Sequence, residues 1–353
     1  MCQKKFVGVH LMQTVPPSCL NRDDMGSPKT ATYGGVRRAR VSSQSWKHAM
    51  RLLFPEIYGE EMVGKRTMMV TQMVADEIVA ESNAYSMDAA LKMAAKALTN
   101  AGIKLNADNN SSAMFFMSQS QAKALAELAI AGSEDKKAYK AAIQENPAID
   151  MALFGRMVAS DPSLNYDAAV QVAHAISTHA VQTEYDYFTA VDDLAPEDTT
   201  VTRHLGTIEY NSSTMYRYAA VDVQALEKYL DKEQAAKAVS GFIKAMICSM
   251  PSGHQNSFAN ATLPFAVYVT VRHDQPISLC GAFEKPIPAS SDGYEKRSAE
   301  ALVDYANELY STFTAKPDLA FTIGQSVSAL GQNGSLSELL EWVEKAVCDG
   351  GNA

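Results

Sequence analysis

The chain has 353 residues, of which 47% are apolar and 20% charged, and its formal net charge is −9. This composition is typical of a globular protein with a substantial buried core. Five scattered cysteines without C-x-x-C spacing predict neither a disulfide framework nor a zinc site, and they favour a reducing cytoplasm. The N-terminal residues lack the apolar core of a signal peptide, and no apolar run is long enough to cross a membrane. We therefore expect a soluble, cytoplasmic protein.

Positive charge is concentrated in one segment of this acidic chain. No acidic residue occurs between Asp24 and Glu56, and the segment carries +6, which leaves −15 for the rest of the chain. The six cations are Lys29, Arg37, Arg38, Arg40, Lys47 and Arg51. A basic segment of this kind can bind a phosphate backbone although the net charge is negative. The alternative is a solvated charge cluster without a partner.

The first predicted elements surround this basic segment. Alternating apolar residues predict a strand over residues 6–15, which ends at two prolines, and a second short strand over 37–41. A helix is predicted over 44–54, with Ser42 or Ser43 as its N-cap and Pro55 as its end. Gly34 and Gly35, which precede the second strand, permit close approach of the backbone.

A helical texture follows over residues 59–165. It is rich in Ala, Met, Lys and Glu and has periodic segments at 67–83, 87–101, 119–131 and 136–144. The methionines are interpreted as core residues. A helix is predicted over 166–179. Two β-rich runs at 181–191 and 206–223 then flank a polar segment, residues 192–205, interpreted as the tip of a long hairpin.

The last third of the chain alternates helices and strands. The pattern predicts a helix over 223–250, strands over 263–272 and 277–284, and helices over 298–313 and 336–347. Interleaved strands and helices indicate an α+β domain, interrupted by the helical insertion. The order is compatible with a ferredoxin-like, RNA-recognition-type sheet.

The helix after residue 43 carries the clearest chemical signal. One of its faces is apolar, and a second face presents Gln44, Lys47 and Arg51 along one line. The N-terminus of the helix, with its unpaired backbone N–H groups and two serine hydroxyls, is a suitable anion site. The pattern therefore favours phosphate binding, with a capped amphipathic helix and a solvated polar face as the alternative.

Several motifs resemble one protein family. They are SCLNRDDMGSPK from residue 18, YGGVRRARVSSQSWKHAMR from 33, GRM from 155, HAISTH from 174, DYFTAVDDL from 186, YRYA from 216 and AFEK from 282. In this order they resemble the CasC-type backbone subunits of the type I-E CRISPR Cascade surveillance complex. The resemblance covers most of the chain.

The resemblance implies a fold of three parts. A modified RNA-recognition palm would comprise residues 1–58, 166–187 and 219–353, helical fingers would comprise 59–165, and a β-hairpin thumb would comprise 188–218. Copies would associate head to tail along a CRISPR guide RNA, and each thumb would displace one base at its neighbour. The guide would then pair with target DNA. Other Cascade subunits and a recruited helicase–nuclease are implied as further partners, with no membrane and no cofactor.

The same resemblance implies a set of guide-RNA contacts. They would fall on Arg22, Lys29, Arg38, Arg40, Ser42, Gln44, Lys47, Arg51, Arg156, Met157, Phe188 and Lys285. Arg156 would bind phosphate, Met157 would be an apolar wedge beside a base, and Phe188 would belong to the thumb. His254 stands where relatives often carry lysine, which puts a permanent charge contact from its loop in doubt.

The sequence favours a protein that is not an enzyme. His174 and His179 are five residues apart, about 140° around a helix, and so would not share a metal ion. No Walker loop, G-x-S-x-G motif or Cys–His nucleophile signature is evident. The alternative is a metal-dependent RNA endonuclease that uses Asp192 or Asp193 in the hairpin. Acidic pairs near turns are more often solvated turn residues, so no catalytic or metal site is predicted.

Overall fold

A computed structural model describes residues 4–82, 84–159, 161–189 and 205–348. These residues form two compact units. The sheet unit comprises residues 4–50, 172–189, 205–220 and 243–342. The helical unit comprises residues 51–82, 84–159, 161–171, 221–242 and 343–348.

The strands are β1 Phe6–Ser18, β2 Thr30–Tyr33, β3 Val36–Val41, β4 Lys65–Thr67, β5 Phe115–Met117, β6 Val170–Val172, β7 Ala175–Ser177, β8 Glu184–Thr189, β9 Leu205–Asp222, β10 Ala266–Arg272, β11 Leu319–Ile323 and β12 Gln332–Asn333. The α-helices are α1 Ser43–Tyr58, α2 Val70–Glu81, α3 Met87–Asn100, α4 Gln119–Ile130, α5 Lys136–Gln144, α6 Ile149–Phe154, α7 Val223–Leu226, α8 Lys232–Cys248, α9 Gln255–Phe258, α10 Glu295–Thr312 and α11 Leu336–Cys348.

The sheet unit is built on a large, mostly antiparallel sheet. Its strand order is β12-β11-β10-β1-β9-β7-β3-β2, and β8 pairs with β9. The central strand β1 pairs with β10 from Phe6 opposite Arg272 to Met12 opposite Ala266. All seven consecutive residues 7–13 of β1 are buried, because this strand is covered on both faces. The α+β prediction is confirmed.

Aromatic residues and α10 form the core on one side of this sheet. The cluster contains Met12, Tyr216, Ala266, Tyr268, Leu279, Phe283, Ala299, Leu302, Ala306 and Val327. The three α10 members lie at spacings of three and four residues, so they form one helical stripe that packs on the sheet residues.

The helical unit has its own core between helices α2 to α5. Its buried members include Val74, Ile78, Ala94, Leu98, Leu125 and Ile143. Helices α3, α4 and α5 begin at residues whose side chains cap them, Ser86, Ser118 and Asp135. At the start of α4, Ser118 and Gln121 form a capping box in which each side chain accepts a hydrogen bond from the other's backbone N–H. The short strands β4 and β5 pair beside these helices.

Four sequence predictions are wrong in detail. The helix predicted over 223–250 is interrupted at residues 227–231, between α7 and α8. Residues 166–179 form β6 and β7 rather than a helix, since Val170, Val172 and Ile176 alternate and β7 pairs with both β3 and β9. Residues 277–284 form a 3₁₀ helix at Cys280–Phe283 instead of a strand. Helix α1 continues through Pro55 to Tyr58, because proline removes one N–H without preventing a short further turn.

The two strands of the predicted hairpin are confirmed. β8 and β9 pair antiparallel from Glu184 opposite Tyr210 to Thr189 opposite Leu205. The predicted tip, with Asp192 and Asp193, lies outside the described residues. The division into palm, fingers and thumb stays a prediction. Within the described ranges, no helix combines the length and the hydropathy that crossing a membrane requires.

Candidate nucleic-acid interface

The β2–β3 hairpin brings the basic segment into the sheet unit. Its turn residues Gly34 and Gly35 have φ values of 59° and 77°, which define a tight turn of the kind that suits antiparallel strands. A Cβ on Gly34 would overlap the carbonyl oxygen of Glu284. The close approach expected from the sequence therefore occurs, and it places β3 against the 3₁₀ turn that precedes Lys285.

Arg38 in β3 is a buried brace. Its guanidinium donates to the carbonyl oxygens of Tyr33, Ser177 and Phe283 at 3.1, 3.0 and 2.8 Å, and it has no measurable exposure. Burial lowers the pKa of Arg38. The guide-RNA contact of Arg38 stays a prediction, and this geometry favours a structural role. The exposed Lys285 follows the turn that Arg38 holds.

Lys29, Arg40 and His174 form a cationic group beside this brace. Arg40 donates through Nε to the carbonyl of Thr30 at 3.1 Å and through Nη1 to Nδ1 of His174 at 3.1 Å. Burial lowers the pKa of His174, and the charges of Arg40 and Lys29 lower it further. His174 is therefore a neutral acceptor that orients Arg40, and both cations remain half-exposed.

Arg22 lies in a loop that is stiffened by its neighbour. Oδ1 of Asp23 accepts the backbone N–H groups of Met25 and Ser27, so the loop has a fixed shape. The exposed Arg22 points its Nη1 at Nε2 of His254, 3.3 Å away. His254 has φ 49°, a left-handed conformation that is uncommon outside glycine. His254 thus contacts a cation of the site.

Asn21 connects this loop to the start of α1. Its backbone carbonyl accepts the N–H of Lys29 at 2.8 Å, and its side-chain Oδ1 accepts the N–H of Ser42 at 2.9 Å. The hydroxyl of Ser42 accepts the N–H of Ser45, so Ser42 is the N-cap of α1. The sequence contains no signal for this role of Asn21, although Asn21 lies in the motif that begins at residue 18, because its partner Ser42 is 21 residues away.

Arg217, for which the sequence contains no signal, packs against the apolar face of α1. The Arg217 guanidinium lies 3.5 Å from the centroid of the Trp46 ring, and it donates to Oε1 of Gln13 and the carbonyl of Met246. Complete burial lowers its pKa to about 9. The packing of Trp46 fixes the rotation of α1, which leaves Gln44 exposed and Lys47 half-exposed.

In the helical unit, Arg51 binds a buried carboxylate. Its Nε lies 2.9 Å from Oδ2 of Asp150, which is fully buried, and Oδ1 of Asp150 accepts the N–H of Gly64. Burial raises the pKa of Asp150, whereas the Gly64 N–H and Arg51 lower it. Arg51 also lies over the ring of Phe116. The phosphate contact of Arg51 stays a prediction. A phosphate bound there would share the positive charge of Arg51 with Asp150.

Arg156 and Met157 are adjacent residues in opposite environments. Arg156 donates to the carbonyl oxygens of Leu164, Phe116 and Ile143 and is almost completely buried. Burial lowers its pKa to about 10. Met157 is 85% exposed, as the wedge prediction requires. The phosphate contact of Arg156 stays a prediction, since its donors are occupied by carbonyl oxygens.

The remaining sequence predictions concern the hairpin and catalysis. Phe188 in β8 is exposed, and its ring covers Gly206 on the facing strand. Among the described residues, no group of three His, Cys, Asp or Glu side chains is placed to hold a metal ion. His179 stacks on Tyr294 with ring centroids 3.6 Å apart and accepts the N–H of Thr214. Its place in the core is structural.

Six of the predicted residues lie on connected segments of the sheet unit: Arg22, Lys29, Arg40, Ser42, Gln44 and Lys47. Cations, a helix N-terminus and hydroxyl groups are the donors that bind phosphate. We call these six residues the basic strip. Arg51, Arg156 and Met157 belong to the helical unit.

The chain is similar to known proteins over most of its length. The family model for CT1975-like proteins matches residues 7–343. A chain of the solved structure "CRISPR RNA-guided surveillance complex, pre-nicking" has 32% identity and a TM-score of 0.83, over 97% of this chain and 100% of that chain. A chain of a second structure, "CRISPR RNA-guided surveillance complex", has 31% identity and a TM-score of 0.65, over 97% and 99%. No curated protein matches. The chain belongs to the family of CT1975-like proteins.

Proposed function

We propose that this chain is a guide-RNA-binding backbone subunit of a CRISPR surveillance complex. The observation that carries the proposal is the similarity to a chain of such a complex over the full length of both chains, with a TM-score of 0.83. The basic strip supports it, because it gathers phosphate-binding groups on a chain whose net charge is −9.

The mode of binding follows from the chemistry of the strip. Arginine, lysine, hydroxyl and backbone N–H donors bind phosphate oxygens and carry little information about base identity. A subunit that holds guides of any spacer sequence needs contacts of this kind. Copies of the chain associate head to tail through unlike surfaces, with the guide RNA as their template, and an association of this type stays open until other subunits end it. Target DNA then pairs with the guide.

The subunit is non-catalytic in this proposal, belongs to a type I-E complex and acts in the cytoplasm. Cleavage of target DNA is left to a recruited helicase–nuclease. The basic strip binds and positions RNA, and no step requires a metal ion or a cofactor.

The test is recovery of RNA with the purified protein. The chain is expressed with the other subunits and a CRISPR transcript, purified, and treated with nuclease. We expect protected guide RNA with the parent chain and a loss of most of it when Arg22, Lys29 and Lys47 are all replaced by alanine. Lys296→Ala, which removes an exposed cation of the sheet unit outside the strip, is the matched control. Parent protein without protected RNA would refute the proposal.

A further inference from the structure

Two arginines of the basic strip each lie against a histidine. Nη1 of Arg40 is 3.1 Å from Nδ1 of His174, and Nη1 of Arg22 is 3.3 Å from Nε2 of His254. Histidine is the side chain whose charge ordinarily changes near neutral pH. A histidine in contact with a cation of the strip can therefore couple the charge of the strip to the binding of a proton.

The contact between Arg40 and His174 has a defined direction. Arginine has no acceptor, so Nδ1 of His174 accepts the hydrogen bond, and the single proton of the neutral ring is on Nε2. The Nε of Arg40 donates to the carbonyl oxygen of Thr30, 3.1 Å away. Its Nη2 has no hydrogen bond among the described residues, and the His174 ring is exposed. Both side chains are thus accessible to a ligand while they hold each other in place.

The charged groups that act on His174 are both cations. Partial burial lowers the pKa of His174, and the positive charges of Arg40 in β3 and of Lys29, directly before β2, lower it further. The flanking strands β6 and β7 contain no charged residue, and Arg217 of β9 is buried against Trp46. No carboxylate among the described residues offsets the two cations, so His174 is neutral in the free chain.

A bound phosphate would reverse this electrostatic balance. A negative charge beside a histidine stabilises the imidazolium form and raises its pKa. We propose that His174 takes up a proton when RNA binds and becomes a further cation of the phosphate site, next to Arg40. This inference rests on the proposed function, since it concerns the protonation of the same RNA-binding site.

The step transfers one proton from solvent to Nδ1 of His174. The lone pair that Nδ1 offered to Arg40 is then used, and both ring nitrogens become donors. Without an acceptor between them, the Nδ1–H of His174 and the Nη1–H of Arg40 repel each other. A phosphate oxygen supplies this acceptor and takes both hydrogen bonds. RNA and the proton therefore bind together, and each strengthens the binding of the other.

A pH profile tests the coupling. The full chain is titrated with labelled polyuridine at constant salt, at about pH 7.5 and about pH 6, where neither uridine nor the phosphodiester titrates. The pKa of His174 lies below 6.5 in the free chain and is higher with phosphate bound, so RNA affinity rises as the pH falls through this window. His174→Gln keeps an acceptor for Arg40 but takes up no proton. The gain in affinity of the parent should exceed that of His174→Gln roughly threefold to tenfold.

His273→Gln is the matched control. The partner of His273 is a carboxylate, with Nδ1 3.0 Å from Oδ2 of Asp318, and His273 lies in the sheet unit outside the basic strip. This variant should gain as much affinity as the parent. Equal gains for the parent and His174→Gln, with matching unfolding midpoints, would overturn the inference. An equal loss of the gain in both variants would also overturn it, because the effect would then not be specific to His174.

Calorimetry counts the proton without any substitution. The heat of polyuridine binding to the parent is measured at about pH 6.5 in two buffers that differ in their heat of ionisation, and the difference gives the number of protons taken up. We expect uptake of roughly half a proton by the parent and clearly less by His174→Gln. Binding of polyuridine without proton uptake would refute the inference and leave the proposed function intact. If neither polyuridine nor guide RNA binds, both fail.

Discussion

The sheet unit and the helical unit each contain a buried arginine held by backbone carbonyl oxygens. Arg38 in the sheet unit and Arg156 in the helical unit each bind three separate chain segments, and among the described residues neither donates a hydrogen bond to a carboxylate. The units differ in what lies beside the brace. Half-exposed or exposed cations surround Arg38, whereas an exposed methionine follows Arg156.

The number of basic residues in a segment is therefore not the number of residues that are available to bind phosphate. Arg38 contributes to the +6 of the basic segment, but its charge is directed into the protein. A guanidinium has five N–H donors in a planar fork, so it can connect several carbonyl groups at once, which lysine cannot do. A buried arginine of this kind can fix the shape of a surface through its carbonyl partners, whereas its contact with guide RNA stays a prediction.

Replacing one of the two buried arginines, Arg156 or Arg38, should have the largest effect on the free energy of unfolding. Arg156→Ala leaves the carbonyl oxygens of Leu164, Phe116 and Ile143 without their donor, so we expect the free energy of unfolding to fall by at least about 3 kcal/mol. Arg38→Ala should cost about 2–3 kcal/mol for the same reason. Urea denaturation measures both. Arg66→Ala is the control and should change stability by less than about 0.5 kcal/mol. A loss of less than 1 kcal/mol (about one hydrogen bond) for Arg156→Ala would show that Arg156 is not a brace.

Acid should affect the sheet unit selectively, because the six histidines that the structure describes all lie in its ranges. His10 is buried among tyrosines, and burial lowers its pKa from 6.5 to about 3. The unfolded chain therefore binds a proton that the folded chain does not, and stability falls as the pH decreases from 6.5 towards 3.

Between pH 6.5 and 5, His10 alone should cost about 2 kcal/mol, at about 1.4 kcal/mol per pH unit. Urea denaturation of His10→Gln at the two pH values should show a loss that is smaller than the parent's by this amount. His48→Gln, at an exposed position of α1, is the control for the replacement of a histidine by glutamine. Equal slopes for His10→Gln and the parent would mean that His10 is not held neutral.

The basic strip can be tested against Arg51, which has a carboxylate partner. Lys47→Ala should weaken binding of every guide spacer by about 1 kcal/mol and reduce the salt slope by roughly one phosphate. Arg51→Ala is also predicted to weaken all spacers equally, and it should in addition lower stability because Asp150 remains buried without its partner. Filter binding across salt concentrations measures the first effect. Losses that depend on spacer sequence would mean that these residues contact bases.

The smallest effect is expected for the acidic pair of the hairpin. Asp192→Ala and Asp193→Ala should leave guide loading and target-DNA binding unchanged within roughly 1 kcal/mol. A metal-dependent nuclease needs several converging ligands, and an adjacent pair of carboxylates supplies two at most. The parent should not cut guide-paired RNA with magnesium or manganese. Cutting that either substitution abolishes would establish the endonuclease alternative.

Local signals in the sequence predict where helices and strands lie better than they predict which of these elements pack against each other. The periodicity of α2 to α5 and the alternation in β1 identified these elements within a few residues. The segment 166–179 was misread because its alanines favour a helix, while β7 is stabilised by pairing with strands that are distant in sequence. The motifs identified the basic segment and α1, but they gave no signal for the roles of Arg217 and Asn21.

Arg217 and Asn21 illustrate which contacts cannot be predicted from the sequence. The role of Arg217 depends on Trp46 and Met246, and the role of Asn21 depends on Ser42. Such contacts are set by the three-dimensional arrangement of strands and helices. The burial of Arg38 was equally unpredictable, since it and its exposed neighbour Arg37 have the same side chain in adjacent positions of one strand.

The β2–β3 turn has a consequence for sequence variation within the family. Gly34 and Gly35 adopt similar left-handed conformations, so both disfavour most side chains, and asparagine is the usual tolerated replacement. Only at Gly34 does a second constraint apply, since a Cβ would meet Glu284, whereas a Cβ on Gly35 meets no atom within 4 Å. A saturation library should therefore retain asparagine at position 35 and only glycine at 34. Two identical neighbours in one turn are thus expected to diverge at different rates over evolutionary time.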